Sequence, residues 1–227
     1  MTGLWNLIKR NCKLFFKDKG MFFSSLITPV ILLVLYATFL ASVYRDSFAS
    51  AMPEGFSIDA SLIDATVAAQ LISSLLAVSC VTVAFCSNLL IVQDKITGAR
   101  RDITVSPVKR STLAVSYFCA SAATTLIISF AALAVCLVYL ANAGWYMSCA
   151  DVLCFALDVV LVTLFGVALS SCVNFPLTTQ GQMSAVGTIV SAGYGFLCGA
   201  YMPISNFSEG LQKVMSFLPG TYGTSLI

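Results

Sequence analysis

The side chains able to do chemistry are few, and their spacing is uneven. The chain has no His, which excludes histidine acid–base catalysis and the common histidine metal sites. No Gly-x-x-x-x-Gly-Lys-Ser/Thr run occurs, so the chain carries no P-loop of its own. The nine Cys, at positions 12, 80, 86, 119, 136, 149, 154, 172 and 198, form no Cys-x-x-Cys pair. Most lie in apolar runs, where Cys serves as a small hydrophobe. The basic residues are more informative. Of 12 Lys and Arg, five are Lys9, Arg10, Lys13, Lys17 and Lys19, and five more are Lys95, Arg100, Arg101, Lys109 and Arg110. The second group sits in a segment, 94–110, that reads Asp94-Lys95-Ile96-Thr97-Gly98-Ala99-Arg100-Arg101-Asp102-Ile103-Thr104-Val105-Ser106-Pro107-Val108-Lys109-Arg110. Ala99 to Val105 has the length of two helical turns. Pro107 after Ser106 stops that helix and redirects the chain. Charges gather at one end, with Ile103, Val105 and Val108 apolar at the other. A short helix of this kind, held between two long apolar segments, suits docking on a soluble partner. A plain basic topology loop is the simpler alternative.

Three further groups stand out. Asp158 is the only charge well inside an apolar run, seven residues beyond Asp151. On a helix that is two turns on the same face and about 10.5 Å deeper. An intramembrane acid is a functional candidate: it could attract a cationic substrate or couple to protons. It could also lie in a wet vestibule, or be protonated and bonded to a neighbouring helix, and this second account is favoured. Gln70 and Asn88 join Asp158 as candidates for a substrate path, although with Gln93 they read more readily as interhelical hydrogen-bonders. Gly187, Ser191, Gly195 and Gly199 recur every four residues, widened by Thr188 and Ala192. Small residues at that spacing let helix backbones approach closely. The stripe is either the seam between two copies or an intrachain contact.

The elements that must position these groups follow from composition. Of 227 residues, 59% are hydrophobic and 10% are charged. A soluble domain carries about 25% charged residues. Residues 21–44, 65–93, 111–150 and 159–208 contain no charged side chain. A bilayer crossing needs about 20 mostly apolar residues. The fold class is therefore an all-α polytopic membrane protein. Five spans are expected, at 21–43 (with Pro29 as a kink), 65–92, 111–140, 152–172 and 183–201. Trp145 and Tyr146 suit an interface belt, and a short turn at 174–182 joins the last two spans. Basic short loops stay in the cytoplasm. The N-terminus and the 94–110 loop are thus expected inside, and the acidic 45–64 loop outside, across a cytoplasmic membrane. Residues 1–20 are expected to form an amphipathic interfacial helix. At 100° per residue, Phe15, Ile8, Cys12, Trp5 and Phe16 share one arc with Leu14 and Leu7 beside it, and Lys9, Lys13, Lys17 and Arg10 lie opposite. The cationic side would meet anionic membrane lipid. An odd span count leaves the C-terminus outside, with 203–227 a short outer-face segment and a sixth span expected after Ile227.

The order of these features resembles the ABC type-2 exporter permeases. The Asp94-x-x-x-Gly98 segment followed by Ser106-Pro107-Val108 is similar to the first cytoplasmic loop of that family. So are the amphipathic N-terminal helix, the Pro in the first span, and the outer segment between Met202-Pro203-Ile204 and Phe217-Leu218-Pro219. The resemblance covers essentially the whole chain. It implies that Gly98, Arg100, Arg101, Asp102, Val105, Ser106 and Pro107 form a coupling helix that docks on a separate ABC ATPase subunit. It implies a second permease subunit, alternating access and export, and a missing sixth span. ATP and Mg would be bound by the partner, with no cofactor on this chain and no role for nucleic acid. The apolar spans suit a hydrophobic drug-like or lipid-like substrate. The competing readings are a proton- or ion-coupled carrier, which needs a network of midplane charges, and a membrane scaffold or receptor without transport.

Overall fold

The computed structural model describes residues 2–36, 38, 42, 60–106, 108–143, 148–198 and 208–216. Every regular element among these is a helix. They are α1 (Thr2–Lys17), α2 (Lys19–Leu35), α3 (Ala60–Asn88), α4 (Leu90–Ile96), α5 (Ala99–Val105), α6 (Arg110–Ala143), α7 (Cys149–Asn174), α8 (Gln180–Leu197) and α9 (Glu209–Met215).

Among the described residues, three stretches are long and apolar enough to cross a membrane: Thr66–Ile96, Arg110–Ala141 and Ala150–Asn174. A fourth is added if α1 and α2, which meet at 72°, form one broken span. The expected count of five is thus met only to three or four by length and composition. The physical reason differs for the two shortfalls. The described part of α2 is 17 residues long, and the expected span runs on into residues that are mostly undescribed. Helix α8 has 18 residues, and its Gly, Ser and Gln dilute its hydropathy. The loop expected outside, up to residue 59, Trp145, Tyr146 and most of 203–227 lie outside the described residues. Helix α2 runs on through the buried Pro29, whose missing N–H leaves the Ser25 carbonyl without its helical donor.

The centre of the bundle is α3. Some 89% of its most apolar window is buried, against 39% and 33% for the two other spans. It packs on α2, α6, α7 and α8. Between spans in lipid there is no hydrophobic drive, so close approach and hydrogen bonds carry association. Both are visible here. A Cβ built on Gly166 of α7 would come within 3.1 Å of the Val81 backbone and 3.2 Å of Ala84, so any larger residue would push α7 a few tenths of an ångström away from α3. Asn88, fully buried, donates through Nδ2 to Ser170 Oγ at 3.0 Å and Ser171 Oγ at 2.7 Å, and accepts from Ser121 Oγ at 3.3 Å. One amide therefore ties α3 to both α6 and α7. Ser87 and Thr124 add a 2.5 Å hydroxyl pair across α3 and α6.

Helix α1 packs along α6, with its aromatic Phe15 wedged between Val83 and Ile128. The centre of its apolar arc is buried, including Asn11 and Phe15 at 1% exposure each. The arc's far edge is not: Trp5 is 67% exposed and Phe16 40%. Lys9, Lys13 and Lys17 point outward, as the wheel places them. Arg10 departs from that pattern and turns toward the bundle.

Candidate functional site

The segment 94–110 folds as its residue types dictate. The chain leaves α4 through Gly98, which adopts φ of 83°, the left-handed region that L side chains rarely enter. A Cβ there would meet nothing, so backbone conformation rather than space selects Gly. Helix α5 then covers Ala99–Val105, the two turns the sequence gives. Ser106 turns extended, with ψ of 157°, and its hydroxyl donates back to the Ile103 carbonyl at 2.5 Å. Pro107 lies outside the described residues.

The short helix has two faces. Ile103 packs inward on Leu90, Ile91, Leu113 and Tyr117, a cluster that also holds Leu7, Leu14 and Met21. Five helices, α1, α2, α4, α5 and α6, meet there. Arg100 is half-buried on the same side, its guanidinium 5.7 Å from the Phe175 ring. Arg101, Asp102 and Val105 face outward, Val105 at 84% exposure. Adjacent arginines thus have different surroundings, because consecutive residues on a helix lie about 100° apart. Lys95 fastens α4 to the next turn of the fold. Its ammonium donates to the carbonyl oxygens of Phe175 and, at 2.9 Å, of Leu177, just past the end of α7. A cation at a helix C-terminus satisfies carbonyls that have no helical donor.

Among the described residues the deepest charge is Asp94. It is 4% exposed and sits in helix α4, whereas the sequence reading places it in a loop. The burial is possible because its charge is met. Arg10 donates to it twice, NH1 to Oδ2 at 2.8 Å and NH2 to Oδ1 at 3.1 Å, and the Tyr117 hydroxyl donates at 2.5 Å. A bidentate Arg–carboxylate pair adds geometry as well as energy. Nearby, Asp18 caps α2 through the Met21 N–H and accepts Gln93 Nε2 at 3.2 Å. The Gln93 bond, then the Met21 bond, hold the Asp18 carboxyl below its usual range. These groups clamp the end of α1 to α4.

On the other flank of α5 lies a cleft of about 840 Å³, walled by α4, α5, the first turns of α6 and the end of α7. Its lining is largely apolar, with Leu113, Val115, Phe118 and Phe175, and Arg100 and Arg110 line it too.

The other sequence candidates are not gathered into one site. Gln70 and Asn88 both belong to α3, and their 18-residue separation is about 27 Å along a helix, so they cannot hold one small molecule together. Asn88 is committed to its serine partners. Gln70 is half-buried. Asp158 is half-buried on α7, and no hydrogen bond or ion pair to it is found among the described residues. Gly187 is half-buried, and a Cβ there would touch nothing, while Gly195 is buried. The Ser191 side chain and Gly199 are outside the described residues. Sequence reasoning missed the Arg10–Asp94–Tyr117 cluster and the cleft. The available signal was an acid directly after an uncharged run of 29 residues, at 65–93, with a basic helix elsewhere in the chain to neutralise it.

A family model described as ABC-2 type transporter matches residues 2–227. No curated protein and no solved structure matches the chain.

Proposed function

The chain belongs to the ABC-2 type transporter family, a multi-pass membrane permease of an ABC transporter, and from that membership we propose that it works as one half of an ATP-driven exporter. The observation that carries the proposal is the two-faced helix α5. Its inner face is rooted in a cluster shared by five helices, while Arg101, Asp102 and Val105 are presented outward. A push on the outer face would reach α1, α4 and α6 together, since all three contribute to the cluster against which Ile103 packs.

In this reading α5 is the coupling helix and its outer face docks on a separate ATPase subunit. Gly98 and Ser106 set its two ends. ATP and Mg act on that partner, since this chain has no P-loop. Closure of the ATPases switches the spans from inward-open to outward-open in the cytoplasmic membrane. Helix α1 lies in the headgroup plane, with Lys9, Lys13 and Lys17 toward anionic lipid, and transmits the same push through Arg10 and Asp94. A second permease subunit meets this one along the α8 stripe, where Gly187 has open space in front of it. The substrate is a hydrophobic drug-like or lipid-like compound, in keeping with the apolar exposed flanks of α6 and α7.

The test is co-purification of the full-length protein with an ABC ATPase encoded next to it, followed by an ATPase assay in lipid. A stable complex whose hydrolysis rises on adding a hydrophobic substrate supports the exporter. A chain that purifies alone, and moves substrate under a proton gradient without ATP, supports the ion-coupled carrier instead.

A further inference from the structure

The cleft beside α5 is lined by two cations and a largely apolar wall. Arg100 and Arg110 line it together with the Ser111 and Thr104 hydroxyls, and the rest of the lining is largely apolar. Neither arginine pairs with a carboxylate among the described residues. Asp94 on α4 is taken by Arg10 and Tyr117, and Asp102, two residues beyond Arg100, faces outward with no ion pair among the described residues. Arg100 instead rests over the face of Phe175 at 5.7 Å, and Lys95 approaches the same ring at 5.3 Å, which adds positive charge rather than cancelling it. A partly buried guanidinium without an anion is costly, and its planar fork fits phosphate oxygens in pairs.

Position in the fold narrows the ligand. Arg110 is the first residue of the span Arg110–Ala141, and the span before it ends at Ile96. The cleft therefore lies where two spans emerge from hydrocarbon into the headgroup layer. Its outer lip is Val115 and Phe118, both on the exposed side of α6. An acyl chain can enter from the side without crossing water. The cavity of about 840 Å³ falls in the range of ligand pockets, roughly 300–1,000 Å³. It is too small for a whole two-chain lipid, so it would seat a headgroup and the upper part of the chains.

We propose that this cleft binds an anionic phospholipid of the surrounding leaflet, its phosphate held by Arg100 and Arg110 and its acyl chains lying along Leu113, Val115 and Phe118. The bound lipid bridges α5 to α6 and so stiffens the attachment of the helix assigned above to coupling. The binding itself is independent of any ATPase, although the sidedness of the leaflet rests on the exporter reading.

Native mass spectrometry of the full chain in detergent tests this. Phosphatidylglycerol and phosphatidylcholine with the same acyl chains are titrated in parallel. The anionic lipid should be retained at about tenfold lower concentration. R100Q/R110Q should abolish that preference, and R100K/R110K should keep most of it. A114W, which fills the apolar body and leaves both cations, should weaken retention by a similar factor. K19Q/K213Q removes the same charge away from the cleft, at two exposed lysines, and should leave the preference intact. Equal retention of the two lipids, or an equal loss in K19Q/K213Q, would overturn the proposal by showing diffuse attraction. Displacement by water-soluble glycerol phosphate would overturn it too, since the chains would then contribute nothing. If adding the purified ATPase strips the lipid, the cleft is a protein-docking surface and the proposal fails. If lipid selectivity holds while no ATPase associates, the site stands and the exporter reading is the part that falls.

Discussion

Arg10 on α1 and Arg100 on α5 are treated in opposite ways. Arg10 meets a buried carboxylate in a bidentate pair, reinforced by the Tyr117 hydroxyl. Arg100, also half-buried, has only an aromatic face, with no carboxylate among the described residues. A charge removed from water must be paired or it destabilises the fold. The paired arginine therefore acts as a rivet between α1 and α4. The unpaired one is free to take an external anion. The difference separates residues that hold the helix in place from residues that can exchange partners.

The comparison is sharpest if the rivet is cut. Asp94→Asn should cost about 2–3 kcal/mol, somewhat less than the roughly 3–5 kcal/mol of a fully buried pair because the Arg10 side chain is 32% exposed. Thermal unfolding of the purified protein in detergent reads this. Arg10→Gln should cost at least as much, since it leaves the buried Asp94 carboxylate with Tyr117 alone, and the double mutant should recover part of the sum, as for two groups in one network. Additive losses would break the account of Arg10 and Asp94 as a unit.

Next in size comes the α3–α7 contact, the tightly packed counterpart of the open cleft. Gly166→Ala should cost about 1–3 kcal/mol by overpacking against Val81 and Ala84. Gly187→Ala should stay within about 0.5 kcal/mol, since its Cβ meets nothing in the single chain. Asn88→Ala should cost about 1 kcal/mol, near the measured range for interhelical hydrogen bonds in membranes. Equal losses at Gly166 and Gly187 would erase the distinction between packed and open faces.

The smallest effect is expected at Arg100. Arg100→Gln should shift stability by about 0.5 kcal/mol or less in detergent, because no ion pair is lost. A loss as large as that of Asp94→Asn would show that Arg100 is structural after all.

Much of this architecture was legible in residue order. The uncharged runs marked the long helices, and Gly98 with Ser106-Pro107 bracketed α5 to the residue. The basic side of α1 was also correct for Lys9, Lys13 and Lys17. What failed was anything that depends on a partner far along the chain. Arg10 shares its azimuth with the lysines, so a helical wheel cannot tell that Asp94, 84 residues away, will claim it. For the same reason Asp94 was assigned to a loop, since an isolated acid at a span end looks exposed. Trp5 and Phe16 read as apolar-face residues, yet the neighbours covering that face stop short of its edge. The cleft was invisible because its walls come from four separate helices. The separation of Arg100 from Arg101 was legible in principle from the 100° step, but only once the position of α6 was known.

The central claim is that α5 passes force from a partner ATPase through its outer face. Arg101→Ala with Asp102→Ala, in the full transporter reconstituted in lipid, tests it most directly, because both side chains are exposed and neither touches the cluster that holds the helix. The account predicts normal membrane insertion and continuing ATP hydrolysis that no longer drives transport. Transport at the wild-type rate per ATP hydrolysed would contradict it.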